Sequence, residues 1–109
     1  MPAYIIVRIA VTDPEQYRKY TAVTPGIVSR FGGKFIVRGG RVETLEGPQE
    51  KERVVVLEFP SWEDADDFYH SPEYTAAREI REGAATGQFV LIEGYDPHQS
   101  DSSSGSGPV

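Results

Sequence analysis

The sequence predicts an α+β domain of the ferredoxin-like kind, a β-α-β-β-α-β chain with an antiparallel sheet. Three observations carry that expectation. Four short runs rich in Val, Ile and Phe alternate with stretches whose apolar residues recur every three to four positions, the periods of strand and helix. Gly, Pro and cap residues stand where such elements end. The chain has 109 residues, 39 % hydrophobic and 26 % charged, which is one globular domain's worth.

Residues 3–11, AYIIVRIAV, form the first strand, closed by Thr12-Asp13-Pro14. Asp13 suits an N-cap, Pro14 the first helical position, and Gln16 completes a capping-box pattern. Tyr17, Tyr20, Thr24, Ile27 and Phe31 then make a helix face. Pro25 removes one backbone donor inside it, which predicts a kink or irregular turn near Thr24. Gly32-Gly33 ends the helix. Lys34 to Arg38 is the second strand. Gly39-Gly40 interrupts it, and Arg41 to Leu45 is expected to continue it past a bulge or bend. Gly47-Pro48 marks a loop, and Arg53 to Phe59 is the third strand. Ser61 caps a second helix whose apolar face is Trp62, Ala65, Phe68 and Tyr69. Ser71-Pro72 breaks that helix and starts another, lined by Tyr74, Ala77 and Ile80. Gly83 to Gly87 reads as a turn and Phe89 to Glu93 as the last strand. Residues 1–95 are thus a single domain. From Asp96 onward the chain reads DPHQSDSSSGSGPV, a composition that cannot offset its ordering entropy, and residues 96–109 are expected to be a flexible tail.

Alternation along the strands predicts the two sheet faces. Ile5, Val7, Ile9, Val11, Phe35, Val37, Val55, Leu57, Phe59, Val90 and Ile92 are all apolar and belong under the helices. The other set, with Tyr4, Ile6, Arg8, Ile36, Arg38, Val54, Val56, Glu58, Phe89 and Leu91, is mostly apolar with a few charges. An open face of that kind marks an interface, and the expectation is a homodimer packed sheet against sheet.

Composition excludes several classes. The excess of 17 Asp+Glu over 11 Lys+Arg gives a net charge of -6, which speaks against unaided nucleic-acid binding. No apolar run approaches the ~20 residues of a membrane span and no signal-peptide layout opens the chain, so a cytoplasmic location is expected. Without cysteine there is no disulfide or thiolate chemistry. With His70 the one histidine in the folded region, haem or zinc ligation would rest on it alone, and no metal and no cofactor are expected.

Several segments together resemble the domain-of-unknown-function 1330 family over about residues 2–95. They are "PAYIIVRIAVTDPEQYRKY", "GGKFIVRGGRVETLEG", "RVVVLEFPSWEDADDFYHSPEYTAAREIR" and "FVLIEG". The resemblance implies a dimeric α+β barrel. That superfamily includes cofactor-free quinone-forming monooxygenases, muconolactone isomerases and haem enzymes, and the family itself has no settled activity. Fold alone does not fix function.

Candidate site residues cluster on the helices: Tyr17, Tyr20, Trp62, Tyr69, His70, Ser71 and Tyr74. They are expected to converge at one end of the helix–sheet layer, where an apolar cleft with a few polar groups is the usual small-molecule site. His70, at a helix end and with an ordinary pKa of about 6.5, and Tyr20 are the candidate acid–base residues. Arg38 beside the glycines and Arg53 at the start of the third strand are candidates to hold a carboxylate or enolate. Each has a plainer role open to it. The aromatics serve equally as core, Ser71 as a cap, His70 as a solvent-facing residue, and the arginines as ion-pair partners. Three functions follow. One is a cofactor-independent enzyme acting by acid–base chemistry on a small, oxygenated, largely apolar metabolite. The others are a non-catalytic small-ligand-binding or stress-associated dimeric module, and a dimer whose cleft is filled by its own side chains.

Overall fold

The computed structural model describes residues 1–98, so most of the expected tail lies outside the described residues. Strand β1 is Ala3–Val11, β2 Lys34–Arg38, β3 Arg53–Phe59 and β4 Ala85–Glu93. Helix α1 is Pro14–Arg30, α2 Trp62–His70 and α3 Pro72–Arg81. All strand pairs are antiparallel and the order is β2-β3-β1-β4. Central β1 and β3 and edge β2 and β4 agree with the expected topology. Among the described residues no helix is long and apolar enough to cross a membrane.

The core lies between the helices and one sheet face. Ile5, Val7 and Ile9 of β1 and Val55, Leu57 and Phe59 of β3 meet Tyr17, Tyr20 and Val28 of α1, Phe68 of α2 and Tyr74 and Ala77 of α3. Ser71 joins the last two helices. Its backbone N–H donates to the Phe68 carbonyl, its hydroxyl donates to the same carbonyl at 2.8 Å, and the hydroxyl accepts from the Tyr74 N–H at 3.0 Å. One buried hydroxyl thus closes α2 and opens α3.

Five local expectations are corrected, the last at the start of α1. In β4 the helix-facing residues are Phe89 and Leu91, while Val90 and Ile92 are exposed on the open face. The strand begins at Ala85, and Gly87 pairs with Ile9, so Phe89 stands opposite Val7 and Leu91 opposite Ile5. Register with β1, not the apolar content of either set, fixes the parity. Second, a β-bulge in β2 falls between Phe35 and Val37. Phe35 faces Leu57, Ile36 is the extra residue, and Val37 and Arg38 pair with Val56 and Val55. Val37 therefore moves to the open face and Arg38 to the helix side, the reverse of simple alternation. Third, residues 41–45 form no strand. After Gly39, at φ 70°, the chain leaves the sheet as a long loop held by the Arg8–Glu50 ion pair at 2.7 Å. Fourth, α1 runs through Pro25 without interruption. Proline has no N–H for the Thr21 carbonyl four residues back, and Arg38 Nη2 donates to that carbonyl instead, at 3.3 Å. At the helix start Asp13 caps as expected, accepting from the Gln16 N–H at 3.2 Å. The reciprocal half of the capping box is missing, because the Gln16 amide donates to Ile80 O at 3.0 Å and the Asp13 N–H to Ala84 O at 3.0 Å.

Candidate functional site

A cavity opens between α1, α3 and the sheet. Its volume is about 30 Å³, and one side opens to solvent. Aliphatic and aromatic walls come from Val7, Ile9, Val28, Val55, Leu57 and Phe68, with Phe35 and Phe89. The polar groups are those of Tyr17, Tyr20, Thr21, Thr24, Tyr74, Arg38 and Arg53. Among the described residues the lining holds no carboxylate, imidazole or thiol, and there is no cluster of metal-ligating side chains.

Helical spacing explains the tyrosines. Tyr17, Tyr20 and Thr24 lie on the buried stripe of α1, and Tyr74 opens α3 on its buried face. The Tyr20 and Tyr74 hydroxyls are 2.7 Å apart. The Tyr17 and Tyr20 rings lie 5.5 Å apart and tilted, and Tyr20 meets Tyr74 edge to face at 6.3 Å. Burial pushes the Tyr20 phenol well above its ordinary range, helped by the neighbouring Tyr74. Burial also raises Tyr74, while its bond to Tyr20 and the Arg81 guanidinium pull it part of the way back. Both therefore stay protonated at neutral pH and serve as hydrogen-bond donors. Arg81 lies behind them, 5.5 Å from the Tyr20 ring centre and 4.8 Å from that of Phe89.

The arginines reach the cavity for different reasons. Arg53 points to the helix side from the first position of β3, opposite Ile9. Arg38 is brought there by the bulge, and its guanidinium sits 4.3 Å over the Phe35 ring. Neither has a carboxylate within 4.0 Å among the described residues, where the ion pairs are Arg8–Glu50, Arg30–Glu73, Lys34–Glu58 and His70–Asp66.

Of the residues singled out from the sequence, Tyr17, Tyr20, Tyr74, Arg38 and Arg53 come together here. Trp62, Tyr69, His70 and Ser71 do not line the cavity. Trp62 is exposed at the start of α2. Tyr69 packs on Tyr74 and Phe89 with its ring below Arg78. Ser71 is committed to capping. His70 has a side chain 71 % exposed, its Nδ1 3.0 Å from the Asp66 carbonyl and 3.3 Å from the Asp66 carboxylate. It lies two residues beyond buried Phe68, about 200° around the helix, and so on the solvent side. Phe35, Thr21, Thr24, Phe68 and Phe89 line the site and were not singled out. Membership of the buried faces was the available signal for Thr24, Phe35 and Phe68; Thr21 lies beside the α1 stripe and off it, and the parity of Phe89 the sequence leaves open.

A family model described as a domain of unknown function (DUF1330) matches residues 2–95. No curated protein matches the chain. Solved structures share its fold. RPA0582, a protein of unknown function from Rhodopseudomonas palustris, is 22 % identical with a TM-score of 0.71, covering 88 % of this chain and 84 % of its own. A dimeric ferredoxin-like protein of unknown function from Jannaschia sp. CCS1 is 16 % identical with a TM-score of 0.65, covering 85 % and 99 %. SnoaB, a cofactor-independent oxygenase from Streptomyces nogalater, is 14 % identical with a TM-score of 0.57, covering 91 % and 98 %. At these identities the likeness establishes the ferredoxin-like fold.

Proposed function

The chain belongs to the DUF1330 family, and from that premise we propose that it is a cofactor-independent enzyme acting on a small, oxygenated, largely apolar metabolite held in the helix–sheet cavity. The observation that carries the reading is the make-up of the cavity, with apolar walls, a protonated hydroxyl pair and two guanidinia that lack carboxylate partners among the described residues. Such an arrangement lowers the energy of negative charge appearing on a substrate oxygen, as when an enolate or phenolate forms. Tyr20 or Tyr74 donates to that oxygen, and Arg38 and Arg53 supply the opposing charge. With no carboxylate or imidazole in the lining, the proton lost by the substrate leaves through the open mouth to water. SnoaB, of the same fold and described as a cofactor-independent oxygenase, supports the reading at the level of reaction class.

A non-catalytic binding module is the second reading. It is favoured by the lack of a carboxylate or imidazole base among the described residues of the lining. Deuterium exchange into 2-tetralone in D2O, followed by proton NMR, separates the two. The enzyme accelerates exchange beyond buffer, loses the acceleration in Tyr20→Phe and Arg53→Met, and keeps it in His70→Ala. Binding without acceleration supports the module. Absence of both binding and acceleration rejects the cavity as a site for such ketones.

The homodimer is part of the same proposal. The open face presents Ile36, Val37, Val90 and Ile92, each more than two-fifths exposed, beside half-buried Ile6, Val54 and Val56. Its charges are already matched within the chain, Arg8 with Glu50 and Lys34 with Glu58, which leaves a face compatible with its own copy. The Jannaschia protein is described as dimeric.

A further inference from the structure

We propose that the ligand of the cavity is itself an acid, an apolar molecule carrying a carboxylate that Arg38 and Arg53 receive together. The inference deepens the cavity reading above and rests on it.

Among the described residues neither guanidinium has a carboxylate partner, in a chain that has anions to spare. Asp and Glu outnumber Lys and Arg by 17 to 11, and other cations on the sheet, Arg8 and Lys34, have found carboxylates. The cavity pair has not. Arg53 is partly buried, and its Nε has neither solvent nor a hydrogen-bond partner among the described residues. Leaving that one N–H without water or a partner is costly, and an anion bound at the Nε side of the fork removes that cost.

The backbone is shaped around this residue. Gly39 takes φ 70°, and its N–H donates to the Val54 carbonyl at 2.8 Å, next to Arg53 in β3. A Cβ at Gly39 would overlap the Arg53 guanidinium. The left-handed conformation favours glycine, and a side chain here would push the Arg53 guanidinium from its place, so Gly39 forms the floor on which the Arg53 fork lies. Arg38 is placed by an independent device. The bulge turns it to the helix side, Phe35 supports its face, and the Thr21 carbonyl freed by Pro25 takes one N–H of Nη2. Its remaining donors are available to a ligand.

A charge that exists only in a transition state would leave the buried Nε of Arg53 without a partner in the resting protein, whereas Arg38 at the mouth is met by solvent. A permanent carboxylate supplies that partner in the ground state and matches the planar fork of a guanidinium with two oxygens. The walls behind, Val7, Val55, Leu57 and Phe35, suit an aryl or alkyl body.

The test compares phenylacetate with the isosteric neutral phenylacetamide, using calorimetry and methyl NMR of the cavity valines and leucine. Phenylacetate is expected to bind at least tenfold more tightly. The advantage should vanish in Arg53→Met and shrink in Arg53→Lys, which keeps the charge but loses the fork. If Arg53→Met does not fold, Arg38→Met at the exposed mouth makes the same comparison. Equal binding of acid and amide overturns the carboxylate class and leaves the cavity reading standing. Binding of neither overturns both. Displacement of phenylacetate by an equal concentration of inorganic phosphate overturns the choice of a carboxylate.

Discussion

Removing the hydroxyls of Tyr20 and Tyr74, singly and together, tests the interior of the cavity most directly. Both rings are buried, 7 % and 1 % exposed, and their hydroxyls lie 2.7 Å apart. Deleting one leaves the other buried without that partner, which costs about 1–3 kcal/mol. The two orphans are not equivalent. After Tyr20→Phe the Tyr74 hydroxyl still has the Arg81 guanidinium beside it, so the loss belongs at the lower end, about 1 kcal/mol. After Tyr74→Phe the remaining Tyr20 has Arg81 over its ring, which does not satisfy the hydroxyl, and the loss is about 2 kcal/mol. Removing both leaves no orphan, so the double variant should lose about 1 kcal/mol less than the sum of the single losses. Urea unfolding of the four proteins measures the cycle, and a kcal/mol corresponds to roughly 4–8 °C in melting midpoint for a domain of this size. Additivity to within about 0.3 kcal/mol would show that the two hydroxyls are not bonded, and the cavity would lose its donor pair.

Alkaline pH should also report on the pair. Both phenols are pushed above the ordinary value of 10.0, chiefly by burial. The unfolded chain therefore gives up these protons first as pH rises past 10.0, so stability is fully present below that value and falls above it. Thermal melts should show the decline in the wild type and a smaller one in Tyr20→Phe/Tyr74→Phe, whereas equal declines would contradict the assignment. Val56→Asp, on the open face of β3, would bury an unpaired charge in the proposed homodimer and should shift light-scattering mass toward the monomer. A wild type already monomeric at micromolar concentration would remove the dimer. Pro25→Ala restores an N–H to the Thr21 carbonyl and should raise helix stability by up to about 3 kcal/mol. It should also release Arg38, seen as faster motion of its Nε–H in nitrogen relaxation. Unchanged motion would mean that the freed carbonyl does not hold the side chain.

The sequence contains most of the fold because local signals and topology agree. Asp13, Ser61 and Ser71 cap where cap residues belong, and β1 and β3 bury the alternate residues their pattern marks. What it withholds depends on pairing. Phe89-Val90-Leu91-Ile92 is apolar on both parities, so nothing in the strand itself says which pair faces inward. The register set by Gly87 opposite Ile9 decides. The bulge at Ile36 likewise has no local marker, yet it sends Arg38 to the cavity. For the site, Tyr17, Tyr20 and Tyr74 were legible from helical periodicity. His70 and Trp62 attracted notice by chemistry, although the same periodicity places His70 opposite Phe68. The distinction between an aromatic that packs beside a cavity, as Tyr69 does, and one that lines it depends on distances that spacing does not encode.

The edge strand β2 has a consequence for access. It spans five residues broken by a bulge and leads into a long loop, whereas β4 pairs along nine. Local opening in a sheet begins where pairing is shortest and backbone groups are most exposed. Here that place carries Arg38 and Gly39, at the mouth of a cavity too small at rest for more than a few waters. Fraying of β2 therefore widens the entrance at the cost of the β2–β3 ladder alone, and β1 keeps both its neighbours. A ligand gripped by Arg38 would close that motion, so that occupancy is written in slowed amide exchange along residues 34–39 and their β3 partners while exchange in β1 keeps its pace.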